Sequence, residues 1–455
     1  MTQAKAPWGL NELISALGLP TLSVDAPVYG ISIDTRTLKP GDLYIPMEGQ
    51  RDGHAFVADA FEKGAIAAFV TSSFDIFSVK GRCIVVPDTL IALQQLGIYN
   101  RKKSSAKIIA VTGSVGKTTL KEMLGHILHS FGKTVISKAS YNNCWGVPLS
   151  LLDLRSDTEF GVLEVGMNHP GEIEPLAHMI VPDIAIITKL AEAHIGHMGS
   201  FEAIAHEKST LLNALKPDGT ALIYGGSSSD HILLQNIKGH TYKLCDMSNL
   251  KAYVHHGKTR VSAIVDNRTL HYILPFAALH HVGNSILAVE ACHAMQLDVQ
   301  QAATMLETFE LPAGRGVTRN IVLSNNISIT LIDDSYNANP VSMRAGLLSL
   351  KDYNADRRIA VLGEMRELGA ESSKYHSDLF ASLEEANIDL LFCCGEEMSF
   401  LYNIIPENLK GFHANRAVDL ITPLITSLRS GDVIFVKGSN GSKVSEVVNF
   451  LLNPQ

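Results

Sequence analysis

Lys107-Ile-Ile-Ala-Val-Thr-Gly-Ser-Val-Gly-Lys-Thr-Thr119 is the stretch of this chain that decides the fold. Residues 107–111 form an apolar, β-branched run, which predicts a buried parallel strand. Apolar residues then recur at i, i+3, i+4 and i+7 spacing over residues 120–131, which predicts a helix with one buried face. Gly132 stands where the C-cap of that helix is expected. The stretch therefore predicts a strand, a glycine-rich loop and a helix, in that order.

The loop between this strand and this helix has the chemistry of a phosphate site. Gly113 and Gly116 allow a tight turn, so that successive N–H groups point into a nest at a helix N-terminus. Lys117 can reach the β- and γ-phosphates, and the hydroxyl of Thr118 can bind Mg²⁺. The first glycine of the full Walker pattern is missing, because Val111 stands there, and a turn that only packs a helix on a sheet is the structural alternative. We favour a nucleotide-phosphate site, because Gly-x-x-Gly-Lys-Thr-Thr lies between a predicted strand and a predicted helix.

Composition and charge limit the classes of function that this chain can have. The 455 residues include 38 Lys and Arg against 46 Asp and Glu, a net charge of −8 with no basic run, which gives no reason to expect nucleic-acid binding. The six cysteines are scattered, which favours reduced thiols over a disulfide framework or a zinc site. We find neither an export signal nor an apolar run of about 18 residues. We therefore expect a soluble, cytoplasmic protein of two or three domains.

Strand and helix patterns alternate along the chain, which predicts an α/β fold built on parallel sheets. Before the glycine-rich loop, strands are predicted at residues 28–33, 43–45, 67–70 and 84–86. The charged segment at residues 101–105 is predicted to be a linker. Later strands are predicted at residues 160–165, 183–188, 220–224, 327–332, 358–362, 390–394 and 433–436. Helices are predicted to begin near Pro340, directly after Asn339, and near Ser372.

Ligands of such sheets bind at the carboxyl ends of strands, so the polar residues there are candidates. Glu164 lies in an apolar run, where a carboxylate is costly to bury unless it is paired or binds a metal, and we favour a Mg²⁺ ligand over a structural salt bridge. On spacing alone His194 stays open between a functional and a solvated histidine, and Lys208 is typical of a surface lysine. Polar loops follow three later strands and predict a ligand face, at residues 333–340, 363–369 and 437–441.

Together these motifs resemble those of the Mur ligases, the ATP-dependent amide-forming enzymes of peptidoglycan synthesis. The likeness covers nearly the whole chain and follows the same order. Taken alone, the motif at residues 34–54 would be interpreted as a turn-rich loop between strands. The motifs are Asp34-Thr-Arg36 with Asp52-Gly-His54, Thr112-Gly-Ser-Val-Gly-Lys-Thr-Thr119, Tyr141-Asn-Asn143, Glu164-Val-Gly-Met-Asn-His-Pro-Gly-Glu-Ile173, Asp333-Asp-Ser-Tyr-Asn-Ala-Asn-Pro340 and Val361-Leu-Gly-Glu-Met-Arg-Glu-Leu-Gly369.

The resemblance implies three domains. These are a small α/β UDP-substrate-binding domain at residues 1–103, a central P-loop-type parallel-sheet domain that binds ATP at 104–313, and a Rossmann-like C-terminal domain for the amino substrate at 314–455. The implied activity is the addition of D-alanyl-D-alanine to UDP-N-acetylmuramoyl-tripeptide through an acyl phosphate, and we expect a monomer. The alternatives are a Mur-type ligase with another acid and amine, such as the diamino-acid-adding ligase, and a nucleotide-binding relative without chemistry.

The resemblance also assigns roles to residues. Thr118 and Glu164 would hold one Mg²⁺, and His194 and Lys208 a second, with Lys208 carbamylated by CO₂ so that a cation becomes an oxygen ligand. Catalytic roles fall to Lys117, Lys208, His194 and Arg315. ATP contacts fall to Gly113, Ser114, Val115, Gly116, Lys117, Thr118, Thr119, His280, Asn284, Arg315, Asp333 and Asp334. Substrate contacts fall to Asp34, Thr35, Arg36, Asp52, Gly53, His54, Asn142 and Asn143 and, toward the incoming dipeptide, to Asn337 and Asn339.

The chain departs from the family pattern at one of these residues, Val115, and otherwise beside them. The phosphate and metal residues are all present, whereas residues next to them differ. The departures stand at Val115, Lys189, Thr210, residues 224–227, His281 and Asn440. They bear on which amide bond is made and not on the use of ATP.

Overall fold

The structure is a computed structural model that describes residues 7–49, 51–139, 141–192, 195–226, 228–237, 239–245, 250–323 and 326–453. The chain divides into two compact units. The first consists of Met1–Ala110, Gly132–Met167 and Glu172–Asp183, and the second of Val111–Phe131, Asn168–Gly171 and Ile184–Gln455. Among the described residues, no helix is long and apolar enough to cross a membrane.

The first unit begins with a small α/β sheet of parallel strands in the order β3-β4-β5-β6. Its side chains alternate between two faces, since Leu43 and Phe69 pack against the first and third helices, whereas Tyr44 and Ala68 pack against the second. The elements are β1 (Trp8–Gly9), α1 (Leu10–Ala16), β2 (Pro27–Val28), β3 (Gly30–Ser32), β4 (Asp42–Tyr44), α2 (Val57–Glu62), β5 (Ala67–Val70), β6 (Cys83–Val85) and α3 (Thr89–Lys103).

The predicted linker at residues 101–105 is wrong for its first three residues, which end helix α3. Arg101 is buried, and its guanidinium donates to the carbonyls of Ile180 at 2.7 Å and Val181 at 2.9 Å. Carbonyls at a helix C-terminus carry partial negative charge, so they stabilise the buried cation. The positive charge of Arg101, which suggested an exposed linker, is therefore bonded to backbone carbonyls inside the first unit.

The next elements build a parallel sheet around the glycine-rich loop, with order β7-β9-β8 in the first unit and β12-β11-β10-β7 in the second. The predicted strand at residues 220–224 coincides with the observed one. The elements are β7 (Lys107–Thr112), α4 (Lys117–Leu128), β8 (Thr134–Ile136), α5 (Gly146–Leu152), β9 (Phe160–Glu164), α6 (Ile173–Ile180), β10 (Ile184–Ile187), α7 (Ile195–Met198), α8 (Phe201–Ser209), β11 (Thr220–Tyr224), α9 (Asp230–Gln235) and β12 (Thr241–Cys245).

The helix after the loop ends earlier than the sequence predicts. Its C-cap is His129, in a right-handed conformation with φ −59°, and the N–H groups of Ser130 and Phe131 bond the carbonyls of the turn before them. The predicted C-cap at Gly132 is therefore wrong. The apolar stripe runs on to Phe131, but the backbone tightens into a turn one residue after Leu128.

An antiparallel sheet in the second unit was not predicted. It consists of β13 (Lys251–His255), β14 (Lys258–Val265) and β15 (Arg268–Leu274), in that order. Its inner face packs on helices α10 (Val282–Ala294) and α11 (Val299–Met305), and Tyr272 lies 2.7 Å from the Ser285 hydroxyl of α10. Asp266 and Asn267, both at positive φ, make the second turn of this sheet. That dipeptide is a hairpin signal.

The C-terminal part of the second unit is a Rossmann-like sheet, order β16-β17-β21-β18-β19-β20, in which only β16 is antiparallel among the described strands. One face packs on α12 to α15 and the other on α16 and α17. The elements are β16 (Val317–Val322), β17 (Ser328–Asp334), α12 (Pro340–Ser349), β18 (Arg357–Gly363), α13 (Ser372–Ser377), α14 (Leu379–Glu385), β19 (Leu390–Cys394), α15 (Met398–Ile404), β20 (Lys410–Ala414), α16 (Ile421–Ser427), β21 (Asp432–Lys437) and α17 (Ser445–Leu452). The predicted α/β fold with parallel sheets is confirmed, and both predicted helix starts are correct.

Candidate active site

The glycine-rich loop between β7 and α4 is packed so closely that it excludes side chains at two positions. Gly113 has φ 145°, and a Cβ atom there would collide with the Thr188 hydroxyl. Gly116 has φ 93°, and a Cβ atom there would lie 2.6 Å from Oδ1 of Asn284. Only glycine adopts these backbone conformations without strain. Asn284, predicted on the nucleotide-binding helix, thus lies against the loop.

The segment after β10 is hydrogen-bonded along this loop. The N–H groups of Ser114 and Val115 both donate to the Lys189 carbonyl, at 3.1 Å each. The Ser114 hydroxyl donates to the Ala191 carbonyl at 2.9 Å, and the Thr188 hydroxyl donates to the Val115 carbonyl at 2.7 Å. Two N–H groups predicted to face phosphate therefore bond to protein here, which the sequence did not indicate. Lys189, one of the departures, takes part through its backbone alone in these bonds.

The loop's cation and the distant Arg315 meet at the start of α4. The ammonium of Lys117 donates to the Gly113 carbonyl at 2.8 Å, so this side chain folds over the loop. Nη2 of Arg315 donates to the Thr118 hydroxyl at 3.2 Å, and the guanidinium lies 4.1 Å from the centre of the Tyr336 ring. Two positive charges therefore stand at a loop that predicts polyphosphate binding. The contribution of Tyr336 was not predicted, although this residue lies within the motif at residues 333–340.

The two aspartates that end β17 are held in different ways. The Asp333 carboxylate accepts from the Gly314 N–H at 3.1 Å and from the Ser335 hydroxyl at 2.6 Å, which fixes the backbone beside Arg315. The Asp334 carboxylate pairs with Lys437 at 2.7 Å. Lys437 is only 3% exposed and also donates to the Asn337 carbonyl at 2.9 Å. Lys437 is the residue that the sequence reasoning missed here, and its signal was the polar loop after the last strand.

Two adjacent histidines precede α10 with ring centres 4.1 Å apart. Burial, and then the charge of His280, hold the pKa of His281 well below its ordinary value. Nε2 of His281 lies 3.4 Å from the Arg315 carbonyl, at the long end of a hydrogen bond. The predicted adenine-binding position thus lies beside the boundary arginine and the end of β17.

The predicted metal residues fall in both units. Glu164, in the first unit, is 3% exposed and accepts from the Asn142 side-chain amide at 2.9 Å. Lys208 on α8, in the second unit, is 1% exposed, so the surface interpretation of this lysine is wrong. His194 lies outside the described residues. Within the described part of the chain, no three His, Cys, Asp or Glu side chains form a metal-binding group.

The hydroxyl of Thr118 and the carboxylate of Glu164 are hard oxygen donors of the kind that Mg²⁺ prefers. The chemistry of these donors therefore fits the metal that the sequence predicts. Their assignment as ligands stays a prediction.

The substrate motifs of the first unit bond mainly to themselves. Asp34 pairs with Arg36 at 2.6 Å, and Arg36 is 86% exposed. The His54 ring is buried with its Nδ1 2.7 Å from Asp52, and its Nε2 accepts the Thr71 N–H at 3.1 Å. Both His54 nitrogens are therefore used by protein atoms. Two other residues of these motifs were predicted to contact the substrate. Thr35 is buried, and the Gly53 N–H donates to the Met47 carbonyl.

The predicted asparagine contacts are partly used in local structure. Oδ1 of Asn143 accepts the Gly146 N–H at the start of α5, and Oδ1 of Asn337 accepts the Ala338 N–H, each at 2.9 Å. Oδ1 of Asn339 accepts the Ser342 N–H as the capping box of α12. These bonds occupy amide oxygens and leave the substrate roles as predictions.

The phosphate loop and the C-terminal sheet come together at Arg315, and this combination defines a nucleotide-binding α/β enzyme with a Rossmann-like lobe. The family models agree with that class: the Mur ligase middle domain matches residues 111–292, and the domain described as "Mur ligase, glutamate ligase domain" matches residues 319–440. The chain belongs to the Mur ligase family. It is therefore an ATP-dependent ligase that forms a C–N bond, and ATP with Mg²⁺ is implied.

Individual relatives are similar over nearly their whole length. A UDP-N-acetylmuramoyl-tripeptide--D-alanyl-D-alanine ligase of Synechocystis sp. is 34% identical over 442 residues, covering 96% of this chain and 94% of its own. The ligase of the same name from Bacillus subtilis is 33% identical over 446 residues, covering 93% of each chain. A crystal structure of MurF from Acinetobacter baumannii has a TM-score of 0.88 at 28% identity, covering 98% of this chain and 99% of that one.

Proposed function

We propose that this protein adds D-alanyl-D-alanine to UDP-N-acetylmuramoyl-tripeptide in the synthesis of the peptidoglycan precursor. The observation that carries the proposal is similarity to ligases of that name over nearly the whole of both chains. The geometry of the second unit supports this proposal. Arg315, at the start of residues 314–455, which we call the C-terminal lobe, bonds Thr118 of the phosphate loop. A nucleotide-binding relative without chemistry would not need that convergence of charges.

The first step makes an acyl phosphate. A terminal carboxylate oxygen of the tripeptide attacks the γ-phosphorus of ATP, the bond from that phosphorus to the bridging oxygen breaks, and ADP leaves. Lys117 and Arg315 place two positive charges beside the loop, where the transferring group carries negative charge. Positioning and charge neutralisation supply most of the catalysis of phosphoryl transfer.

The second step makes the amide. The amine nitrogen of D-alanyl-D-alanine bonds to the acyl carbon, the tetrahedral intermediate loses inorganic phosphate, and the nitrogen gives up a proton to water. We assign the dipeptide to the C-terminal lobe, near Asn337 and Asn339 at the carboxyl end of β17. The UDP-linked substrate belongs to residues 1–103, ATP to residues 104–313, and the amine to residues 314–455.

Magnesium would be held by Thr118 and Glu164, with a second ion held by His194 and Lys208. Bound there, it would neutralise phosphate charge and polarise the transferring group. We propose that Lys208 serves as a carbamate, because an ammonium would repel a nearby Mg²⁺, whereas a carbamate offers oxygen ligands.

The carbamate is tested with Lys208→Ala. We expect turnover to be crippled and to return in part when a short carboxylate such as formate is added. Lys216→Ala, at a less buried lysine, serves as the control and keeps its turnover. Normal activity of the Lys208 variant without any added carboxylate overturns the assignment.

The function is tested by phosphate release from Mg²⁺-ATP and UDP-N-acetylmuramoyl-tripeptide, with and without D-alanyl-D-alanine. We expect release that needs both substrates and a new UDP-pentapeptide mass. Release only with another amine moves the protein to a Mur-type ligase of different specificity. ATP binding with no release for any acid and amine overturns ligation altogether.

We also propose a cytoplasmic monomer. All six cysteines are free, and Cys393 and Cys394 are adjacent, buried and unbridged. Burial raises the pKa of the Cys245 and Cys394 thiols to about 12, so these groups stay protonated and unreactive. Reduced thiols agree with a reducing compartment. Light scattering of the purified protein tests the monomer, for which a mass of 49.3 kDa is expected.

A further inference from the structure

The segment that follows β10 has two sets of contacts within the second unit. We call residues 188–192 and 195–198 the connecting segment. Its first residues are bonded to the phosphate loop through the Thr188 hydroxyl and the carbonyls of Lys189 and Ala191. Its later residues contact the C-terminal lobe. The same short stretch thus touches the two parts that the proposed reaction must bring together.

The contact with the C-terminal lobe is built from one side-chain bond and one backbone contact. The Tyr375 hydroxyl of α13 donates to Oε2 of Glu192 at 2.8 Å. The Gly196 N–H donates to the Glu367 carbonyl at 3.1 Å. A Cβ atom on Gly196 would lie 2.7 Å from the nitrogen of Gly369, so the two backbones touch with no room for a side chain.

Tyr375 is suited to remain a hydrogen-bond donor. Burial and the Glu192 carboxylate raise the pKa of its phenol to about 12, because an ionised phenol beside a carboxylate is unfavourable. The hydroxyl therefore keeps its proton throughout the physiological range. A bond to an ionised acceptor is also stronger than one between neutral groups.

The geometry points to Glu192 and Tyr375 as positioning residues for amide formation: their bond, with the Gly196–Gly369 contact, holds the C-terminal lobe in register with the phosphate loop. This inference rests on the proposed function, in which that lobe carries the amine. Neither residue is assigned to ATP, to a metal or to a substrate. Their role is to keep the amine beside the acyl carbon once the acyl phosphate exists.

Without this contact, phosphate release would no longer be coupled to amide formation. If the lobe is no longer held, water reaches the acyl phosphate, its oxygen bonds to the acyl carbon, phosphate leaves, and the carboxylate is regenerated with loss of a proton. Phosphate is then released without an amide. A wild-type enzyme releases one phosphate for each amide, so the ratio of phosphate to amide measures how well the lobe is held.

The first test is Tyr375→Phe, which removes one oxygen and keeps the ring. We expect kcat for amide formation to fall about tenfold, the size expected for losing a bond to a charged acceptor. The KM for ATP should change by less than about twofold, and the phosphate-to-amide ratio should rise above one. Tyr402→Phe, on α15 of the same lobe, is the matched control and should leave the ratio at one.

Further variants separate positioning from a general loss of structure. Glu192→Gln keeps an amide oxygen as acceptor and should retain most of the coupling, whereas Glu192→Ala should match Tyr375→Phe. Gly196→Ala should force the backbones apart and raise the ratio most, while Gly225→Ala, whose Cβ has its nearest neighbours at 3.5 Å, should not. The double variant Glu192→Ala with Tyr375→Phe should be no worse than either single one.

Hydrogen exchange at the Gly196 amide gives a measurement that needs no substrate. We expect exchange to be about tenfold faster in Tyr375→Phe than in the wild type, and unchanged in Tyr402→Phe. A Tyr375→Phe enzyme with unchanged kcat and a ratio of one overturns the inference, as does one whose rates all fall together while the ratio stays at one. If the wild type makes no amide with D-alanyl-D-alanine, the proposed function fails, and exchange at Gly196 alone then decides whether the contact exists.

Discussion

Two motif regions of this protein are built in opposite ways. In the first unit, the motifs at Asp34–Arg36 and Asp52–His54 are satisfied locally, since each carboxylate bonds a partner two residues along the chain. In the second unit, the phosphate loop is surrounded by side chains from far away in sequence, such as Asn284 and Arg315. Both regions carry sequence motifs that resemble those of the family.

The difference separates what a motif does for the fold from what it does for chemistry. Local pairs such as Asp52 with His54 form a turn that would be stable without a ligand, so their residues first serve structure. Lys117 and Arg315 instead bring two positive charges to the phosphate loop, where they would stabilise a bound anion. We therefore expect substitutions in the second unit to affect turnover, and most substitutions in the first unit's motifs to affect stability or substrate affinity.

The largest expected effect is that of Lys117→Ala. Removing the loop's cation should lower the rate of phosphate release by about a thousandfold, because one preorganised charge at a transferring phosphoryl group is worth that much. The midpoint of thermal unfolding, Tm, should hardly change. Lys107→Ala, at an exposed lysine of β7, is the control. A Lys117 variant that loses activity and also several degrees of Tm would show that Lys117 stabilises the fold as well, which would contradict the contrast between the two regions.

Arg315 comes next. We expect Arg315→Ala to lower kcat about a hundredfold and Arg315→Lys to recover little, because lysine cannot both stack on Tyr336 and bond Thr118 in the same geometry. Steady-state kinetics with saturating ATP and tripeptide measures the effect. Arg319→Ala, on the exposed face of β16, should behave as the wild type. Full recovery by lysine would show that only the charge matters at this position.

The first unit offers a smaller, divided effect. Arg36→Ala should raise the KM for the UDP-linked substrate about tenfold and leave the free energy of unfolding nearly unchanged, since an exposed ion pair contributes little to stability. His54→Ala should instead lower stability by about 2 kcal/mol, because the Thr71 N–H loses its buried acceptor. Calorimetry of both variants measures the change in stability, and substrate titration measures the change in KM for the UDP-linked substrate. The reverse pattern would mean that His54 contacts the substrate.

The smallest effect is a difference in pH dependence. The lowered pKa of His281 means that the folded state prefers the neutral ring, so stability is full above the unfolded value of 6.5 and declines as pH falls below it. The N–H and side chain of His54 lower the pKa of Asp52, so that contribution is present above 3.8 and is lost as pH falls further. Tm measured from pH 7.5 to 5 should drop less steeply in His281→Asn than in the wild type. Asp52→Asn should not alter the slope in that range.

The sequence predicted local features well and distant contacts poorly. The strand before the loop and the Asn339 cap of α12 depend on neighbouring residues, so their patterns were sufficient. Lys437 lies about a hundred residues from the Asp334 that it pairs with, and only the strand order brings them together. Charge at Arg101 suggested an exposed linker because its acceptors, the carbonyls of residues 180 and 181, come from another helix.

The family resemblance supplied roles that spacing left open, and these roles stay predictions. The structure places Arg315 against Thr118 and Asn284 against the phosphate loop. The antiparallel sheet at residues 251–274 was missed because its strands face solvent on one side and carry few long apolar runs. Its turns at residues 256–257 and 266–267 were the available signals.

The tight packing of Gly113 and Gly116 has a consequence for inhibition. Any side chain at Gly113 meets the Thr188 hydroxyl, and any side chain at Gly116 meets Asn284. Resistance to a compound that contacts the backbone at these two glycines is therefore expected to arise by substitution of other residues, because a change at either glycine would damage the loop itself.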